Sequence, residues 1–315
     1  RLTVAELHEI AVRVHHPAMC SKVSAGSRAM ESTMQLRQQF QRVGNRLEML
    51  SIRKAKTVLH RLRAPAQRRR VFVAGAQRSG TNMLMRILER SFQTQVFHEI
   101  DPRAFDNFQM RERPVIHRLA DESRAPLMVI KALCEAEQLP ELLTEFAPAR
   151  AVWIVRRVDD VVNSSLRIFN TVAFRVREIA EDPATGGWRG RGMSSATQRL
   201  LRQHCHEGLD DASAVALFWY MRNVLFFERQ LEQREDVLLL HYEDLVTHPA
   251  EISRQLFAFL GLHYAPHCSR WVVPSSIHRH RPPPIEPAVH ALCEDLYRRF
   301  QALNPRPAIP ADHRC

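Results

Sequence analysis

The stretch from Val71 to Phe92 constrains the fold more than any other part of this sequence. Val71-Phe72-Val73-Ala74 is a short β-branched and aromatic run, and Gly75 and Gly80 frame the loop after it in a chain that holds only ten glycines. From Asn82 to Phe92, Leu84, Ile87 and Leu88 recur on one side of a helix. Strand, tight loop and helix follow one another, and the order repeats. Leu127 to Ile130 reads as a strand before a helix near Glu137 to Phe146, and Ala151 to Val155 as a strand before a helix from Asp159 to Phe169. Val237 to Leu240 is a fourth strand, before a helix from Ala250 to Leu260 that Gly261 stops. Strands alternating with helices predict a three-layer α/β/α domain around a central parallel sheet. In such sheets ligands bind beyond the carboxyl ends of the strands.

The loop Gly75-Ala76-Gln77-Arg78-Ser79-Gly80-Thr81-Asn82 therefore brings free backbone N–H groups and the positive end of a helix dipole to a ligand-facing edge, a geometry that holds phosphate-like anions. It nearly matches the P-loop of nucleotide triphosphatases, but the lysine expected after the second glycine is absent and Thr81 follows Gly80 directly. Without that lysine, and with no acidic strand end to hold Mg²⁺, a kinase would lack the cations that stabilise its transition state. Arg78, beside the hydroxyls of Ser79 and Thr81, suits a smaller anionic group transferred without metal. At the end of the third strand stands Arg156, and Ser164 follows eight residues later on the next helix, so a guanidinium and a hydroxyl can grip a further phosphate.

With these residues in place the sequence resembles the sulfotransferases that use 3'-phosphoadenylyl sulfate (PAPS). Ala76 to Thr81 is similar to that family's 5'-phosphosulfate loop, and Val155-Arg156 through Asn163-Ser164-Ser165 to its 3'-phosphate element. Tyr242-Glu243-Asp244-Leu245, followed at distance by Phe259-Leu260-Gly261, resembles a further recurrent segment. The likeness runs over roughly residues 71 to 280. It implies that Ser79, Gly80, Thr81 and Asn82 hold the 5'-phosphosulfate, that Arg78 neutralises charge on the bridging oxygen, and that Arg156 and Ser164 bind the 3'-phosphate. PAPS would be the donor, 3'-phosphoadenosine 5'-phosphate (PAP) the product, and no metal is called for. Arg279 and Arg281 stand where that family closes over the nucleotide. Two departures mark the 3'-element: Val158 replaces a common proline, and Arg157 adds a charge.

Proton abstraction from the acceptor needs a base. Val96 to Asp101 reads as a short strand, so His98 and Glu99 point to opposite sides and only one of them faces the donor. Resemblance to the carbohydrate-type branch favours Glu99, with His98 as an orienting or substrate contact or a structural histidine. Lys131, one of four lysines, lies at a strand's carboxyl end and resembles a lysine that touches acceptor or sulfuryl oxygens. Trp219 reads as core, and Asp159 and Asp160 as helix caps. A carbohydrate or glycolipid hydroxyl is the expected acceptor. A nucleotide-dependent kinase, or a scaffold that keeps the nucleotide fold without turnover, are the alternatives.

Charge separates a second region. Of 45 Lys+Arg and 34 Asp+Glu, 15 and 4 lie in the first 70 residues, which leaves 30 of each sign in the rest. Residues 1–70 thus read as a basic helical segment and 71–315 as the sulfotransferase domain, with a flexible loop at 183–195 where Gly186, Gly187, Gly190 and Gly192 crowd together. Leu36, Phe40, Val43, Leu47 and Leu50 make a helical stripe within 31–62 that can pack on the body, on a second copy or on an acidic membrane surface. Nucleic acid is disfavoured because no aromatic residues interleave the basic ones. Six scattered cysteines fit reduced thiols. The longest apolar run, Ala214 to Met221, is too short to cross a bilayer, which predicts a cytoplasmic protein. An anchor or signal ahead of Arg1 stays open.

Overall fold

A computed structural model describes residues 48–60, 62, 68–168, 172–274 and 281–303. The chain divides into two compact units, 1–53 and 54–315. Most of the predicted amphipathic stripe, Leu36 to Leu47, lies outside the described residues. The larger unit begins ahead of Arg70: residues 54–60 are helical, and the Lys56 ammonium donates to the Glu89 carbonyl and to Thr94 Oγ1.

Five strands form the central sheet: β1 (Arg69–Gly75), β2 (Thr94–Phe97), β5 (Leu127–Lys131), β6 (Ala149–Val155) and β7 (Val237–His241). Their order is β2-β5-β1-β6-β7, and all pairs are parallel. A two-stranded antiparallel hairpin, β3 (Phe105–Asp106) with β4 (Gln109–Met110), stands apart. The helices that matter below are α1 (Thr81–Glu89), α2 (Arg113–Glu122), α3 (Leu139–Glu145), α4 (Val158–Ser165), α5 (Val172–Glu181), α6 (Ser195–His204), α7 (Asp211–Asn223), α8 (Tyr242–Thr247), α9 (Pro249–Phe259) and α10 (Pro287–Leu303).

Strand period dictates the layering. Phe72, Ala74, Trp153 and Val155 face one apolar cluster, shared with α2, α3, α4, α7 and α10. Val71, Val73, Val152 and Ile154 face the other, with α1, α8 and α9. A sheet with both faces covered is the three-layer α/β/α arrangement. Each fully buried large apolar side chain in these layers contributes roughly 1.5–3 kcal/mol, and Phe72, Trp153, Phe226 and Phe257 are among them.

The strand order places a switch point between β1 and β6. From β1 the chain turns through α1 toward β2, and from β6 it leaves the other way toward β7. The carboxyl ends of these neighbours therefore open a crevice, and the Gly75–Gly80 loop and Arg156 stand at its two sides.

Candidate active site

The P-loop-like turn after β1 is shaped by close packing. Gly75 has φ +140°, and a Cβ there would lie 2.3 Å from the Ile154 carbonyl oxygen. Arg78 occupies the left-handed region at φ 66°, which for a non-glycine residue costs of order 1–3 kcal/mol and is characteristic of functional turns. Ser79 N–H bonds back to the Ala76 carbonyl at 3.3 Å. The N–H groups of Gly80, Thr81 and Asn82, at the start of α1, have no acceptor among the described residues, as expected of a helix N-terminus.

A cleft of about 360 Å³ opens in front of these groups. Arg78, Arg86, Lys131 and Arg156 line it, against one lining carboxylate, Glu99, so it is a cationic site. Burial, then the charges of Arg156 and Arg167, hold the Arg78 guanidinium below its usual pKa. Such crowding is relieved by a bound anion. Two hydrogen bonds brace the cleft across the switch point. Arg78 Nε–H donates to Ser164 Oγ at 2.9 Å, and Arg156 Nη1–H donates to the Arg78 carbonyl at 3.4 Å. Arg156 also lies over the Tyr242 ring, 4.2 Å from its centroid, and 3.5 Å from Asp160 Oδ2.

On the far wall Lys131 Nζ is 2.6 Å from Glu99 Oε2 and donates to Asn82 Oδ1 at 3.0 Å. Its side chain is only 3% exposed, and burial lowers its pKa, with Glu99 opposing the shift. Glu99 is a quarter exposed and so open to a ligand. His98 is off the cleft: β2 ends at Phe97, and His98 Nε2 pairs with Glu89 Oε2 at 3.2 Å.

The sequence-predicted residues divide accordingly. Arg78, Gly80, Thr81, Asn82, Glu99, Lys131, Arg156 and Ser164 share the cleft, whereas His98 and Ser79 are not on its wall. Ser79 is fully buried and its hydroxyl has no hydrogen-bond partner among the described residues. Arg279 lies outside the described residues, but Arg281, two residues on, reaches α4: the Arg281 carbonyl accepts from Asn163 Nδ2 at 3.1 Å. Asp159 and Asp160, expected as caps, make no cap hydrogen bond to α4. Asp160 pairs with Arg156, and Asp159 with His290 Nε2 at 3.0 Å. The extra charge of Arg157 turns away, over the Tyr297 ring and 3.4 Å from Glu294. Val158 fills the first turn of α4, a position where proline is equally at home. Trp219 is core at 1% exposure, and its Nε1–H donates to the Arg156 carbonyl at 2.9 Å.

Sequence reading missed Arg86 and Trp271 on the cleft wall, and gave Gln77 of the loop no role. Arg86 carried a signal, since it lies four residues after Asn82 on the polar side of α1; Trp271 carried none. Glu243, read from the sequence only as part of a recurrent segment, has a supporting role: its carboxylate accepts from Arg157 N–H at 2.9 Å and from the Tyr297 hydroxyl at 3.1 Å, fixing the end of β6. Residues 183–195, expected as a flexible loop, contain 3-10 turns over Pro183–Arg189 held by buried Arg222, which donates to the Trp188 carbonyl at 3.1 Å.

A three-layer α/β fold with a lysine-free, glycine-framed loop and a second cation at the neighbouring strand end makes a cationic cleft suited to an anionic group. The family model for the sulfotransferase domain matches residues 68–276, and the chain belongs to that family. Among curated proteins none matches the chain. Among solved structures, the sulfotransferase domain from the curacin biosynthetic pathway is 16% identical, over 75% of this chain and 98% of that one, with a TM-score of 0.46. A sulfotransferase from Alicyclobacillus acidocaldarius is 18% identical, over 75% and 96%, with a TM-score of 0.42. The mouse sulfotransferase SULT7A1 complexed with PAP is 14% identical, over 76% and 86%, with a TM-score of 0.41. No helix of the described residues is long and apolar enough to cross a membrane, and no cluster among them has the composition of a metal site. Cys134, Cys205, Cys268 and Cys293 are free thiols.

Proposed function

We propose that this chain transfers a sulfuryl group from PAPS to a hydroxyl of a small-molecule acceptor. The observation that carries this reading is the cross-brace of Arg78 with Ser164 and of Arg156 with the Arg78 carbonyl, which joins a loop for one anion to a strand end for another. ATP has no 3'-phosphate, so a nucleotide kinase leaves the second half of that pair without a task.

The residues fit the donor. Unused N–H groups of Gly80, Thr81 and Asn82 would receive the 5'-phosphosulfate, and Arg156 with Ser164 the 3'-phosphate; bound there, PAPS supplies an activated sulfuryl group on a good leaving group. Glu99 takes the acceptor's proton as the acceptor oxygen bonds to sulfur. Arg78 and Lys131 meet the negative charge that builds as the bond from sulfur to the phosphate oxygen breaks and its electron pair departs with PAP. Lys131 also orients Glu99 through their 2.6 Å contact. The sugar or glycolipid acceptor rests on the resemblance carried by Glu99. Residues 31–62, within the basic segment, are proposed as a site of self-association or contact with an acidic membrane surface.

The test is PAP release from PAPS in EDTA across a panel of sugar, lipid and aryl hydroxyls. Acceptor-dependent release that vanishes in R78A supports the reading. ATP-dependent phosphorylation that needs Mg²⁺, with no release from PAPS, overturns it.

A further inference from the structure

A second cavity, of about 250 Å³, adjoins the donor cleft and shares Gln77 with it. Val161 of α4, Val176 of α5, and Val215 and Phe218 of α7 give it an apolar wall. Two guanidiniums share that wall: Arg175 on α5, and Arg189 at the end of the Pro183–Arg189 turns. Among the described residues neither is ion-paired with a carboxylate. Arg189 is half-buried, 4.7 Å above the ring of Trp188. Burial, and the charge of Arg175 behind it, hold the Arg189 guanidinium below its usual pKa.

Exposed Arg175 and half-buried Arg189 repel one another, Arg189 also gives up hydration, and an anion between them offsets both costs. Hydrophobic lining asks for something else, a lipophilic body that displaces water from the walls. A neutral sugar satisfies neither demand, and a simple inorganic anion satisfies only the first. Two guanidiniums held on separate elements suit the two oxygens of one carboxylate.

Resting on the sulfotransferase reading of the neighbouring cleft, we infer that this cavity receives the acceptor, and that the acceptor is a carboxylate-bearing amphiphile whose apolar body lies on Val161, Val176, Val215 and Phe218 while Arg175 and Arg189 grip its carboxylate. Its hydroxyl is then delivered past Gln77, the residue common to both cavities. Neutral sugars become poor acceptors, and hydroxylated acids of medium chain length become good ones.

The experiment compares decanoate with decanol by titration calorimetry, below their aggregation limits, on the free chain and on the chain saturated with PAP. Decanoate should bind at least tenfold tighter in both states. That ratio should fall to within twofold in R175Q/R189Q and persist in R175K/R189K, and the exposed single variant R175Q should lower it at least threefold. Equal affinity of the two probes for the unaltered chain, or a preference that survives R175Q/R189Q or R175Q undiminished, overturns the carboxylate grip. Failure of PAP to bind strikes the donor-site reading instead, and the probe comparison on the free chain still decides the grip.

Discussion

Gly80 sits against the Tyr242 ring so closely that a Cβ there would lie 2.3 Å from Cδ2 and 2.7 Å from Cε2. The phosphate loop is thus moulded on the residue that follows β7, and the same ring carries Arg156 on it at 4.2 Å. One aromatic side chain therefore sets both halves of the cationic cleft. The Tyr242-Glu243 segment, which has no charge of its own to offer a donor from Tyr242, does its work as a support: Tyr242 for the loop and Arg156, Glu243 for the end of β6.

Gly80→Ala combines that collision with a left-handed backbone at φ 99°. Overpacking of this kind costs about 1–3 kcal/mol. Chemical denaturation should register that loss, and calorimetry should show PAP affinity reduced at least tenfold. Wild-type affinity in G80A would mean that the loop is not shaped by Tyr242.

Arg156→Ala should weaken PAP by roughly 10- to 100-fold, in line with about 1.5–3 kcal/mol for a charge-assisted hydrogen bond. Adenosine 5'-phosphate should be weakened far less. Because the substitution strands Asp160, R156A/D160N separates donor loss from a buried unpaired carboxylate. Equal weakening of both nucleotides in the double variant would remove Arg156 from the 3'-phosphate.

What the sequence made legible follows from short-range physics. The β1 loop and α1 could be read because glycines frame a β-branched run and an apolar stripe, and the Val71-to-Ala74 core was extended only to Arg69–Gly75 by the structure. The expected strand over Val96 to Asp101 ends at Phe97, so alternation does not separate His98 from Glu99; what turns Glu99 to the cleft is Lys131 of β5, a strand 30 residues away in sequence. In the Gly-rich stretch glycine also serves close approach, which composition alone does not show: a Cβ on Gly192, at φ 77°, would lie 2.5 Å from the Glu137 side chain. Trp271 on the cleft and the shared cavity wall of Arg175 and Arg189 depend on tertiary packing that no local pattern announces.

Glu99→Gln should lower turnover by roughly 10² to 10⁴ while PAP affinity stays within about twofold. Because Glu99 touches Lys131, the double variant E99Q/K131M should lose less than the product of the single losses. A fully active E99Q would move the base role to another group.

Burial raises the Glu135 carboxyl from 4.5 to about 7, although its Oε1 accepts from Met110 N–H. Between these values the folded chain keeps a proton that the unfolded chain has released. This group's contribution is therefore greatest below about pH 4.5 and is lost as pH rises through about 7, a difference of roughly 3 kcal/mol at most. Glu135→Gln should flatten that part of a stability profile taken from pH 5 to 8 by urea denaturation. An unchanged slope would assign it to other groups.

Whether the cleft holds a 3'-phosphorylated nucleotide is tested directly by calorimetry in EDTA with PAP, ADP and ATP. Metal-free binding of PAP at least tenfold tighter than ADP or ATP is the predicted result. Tighter binding of ATP, or binding that appears only when Mg²⁺ is added, would contradict it.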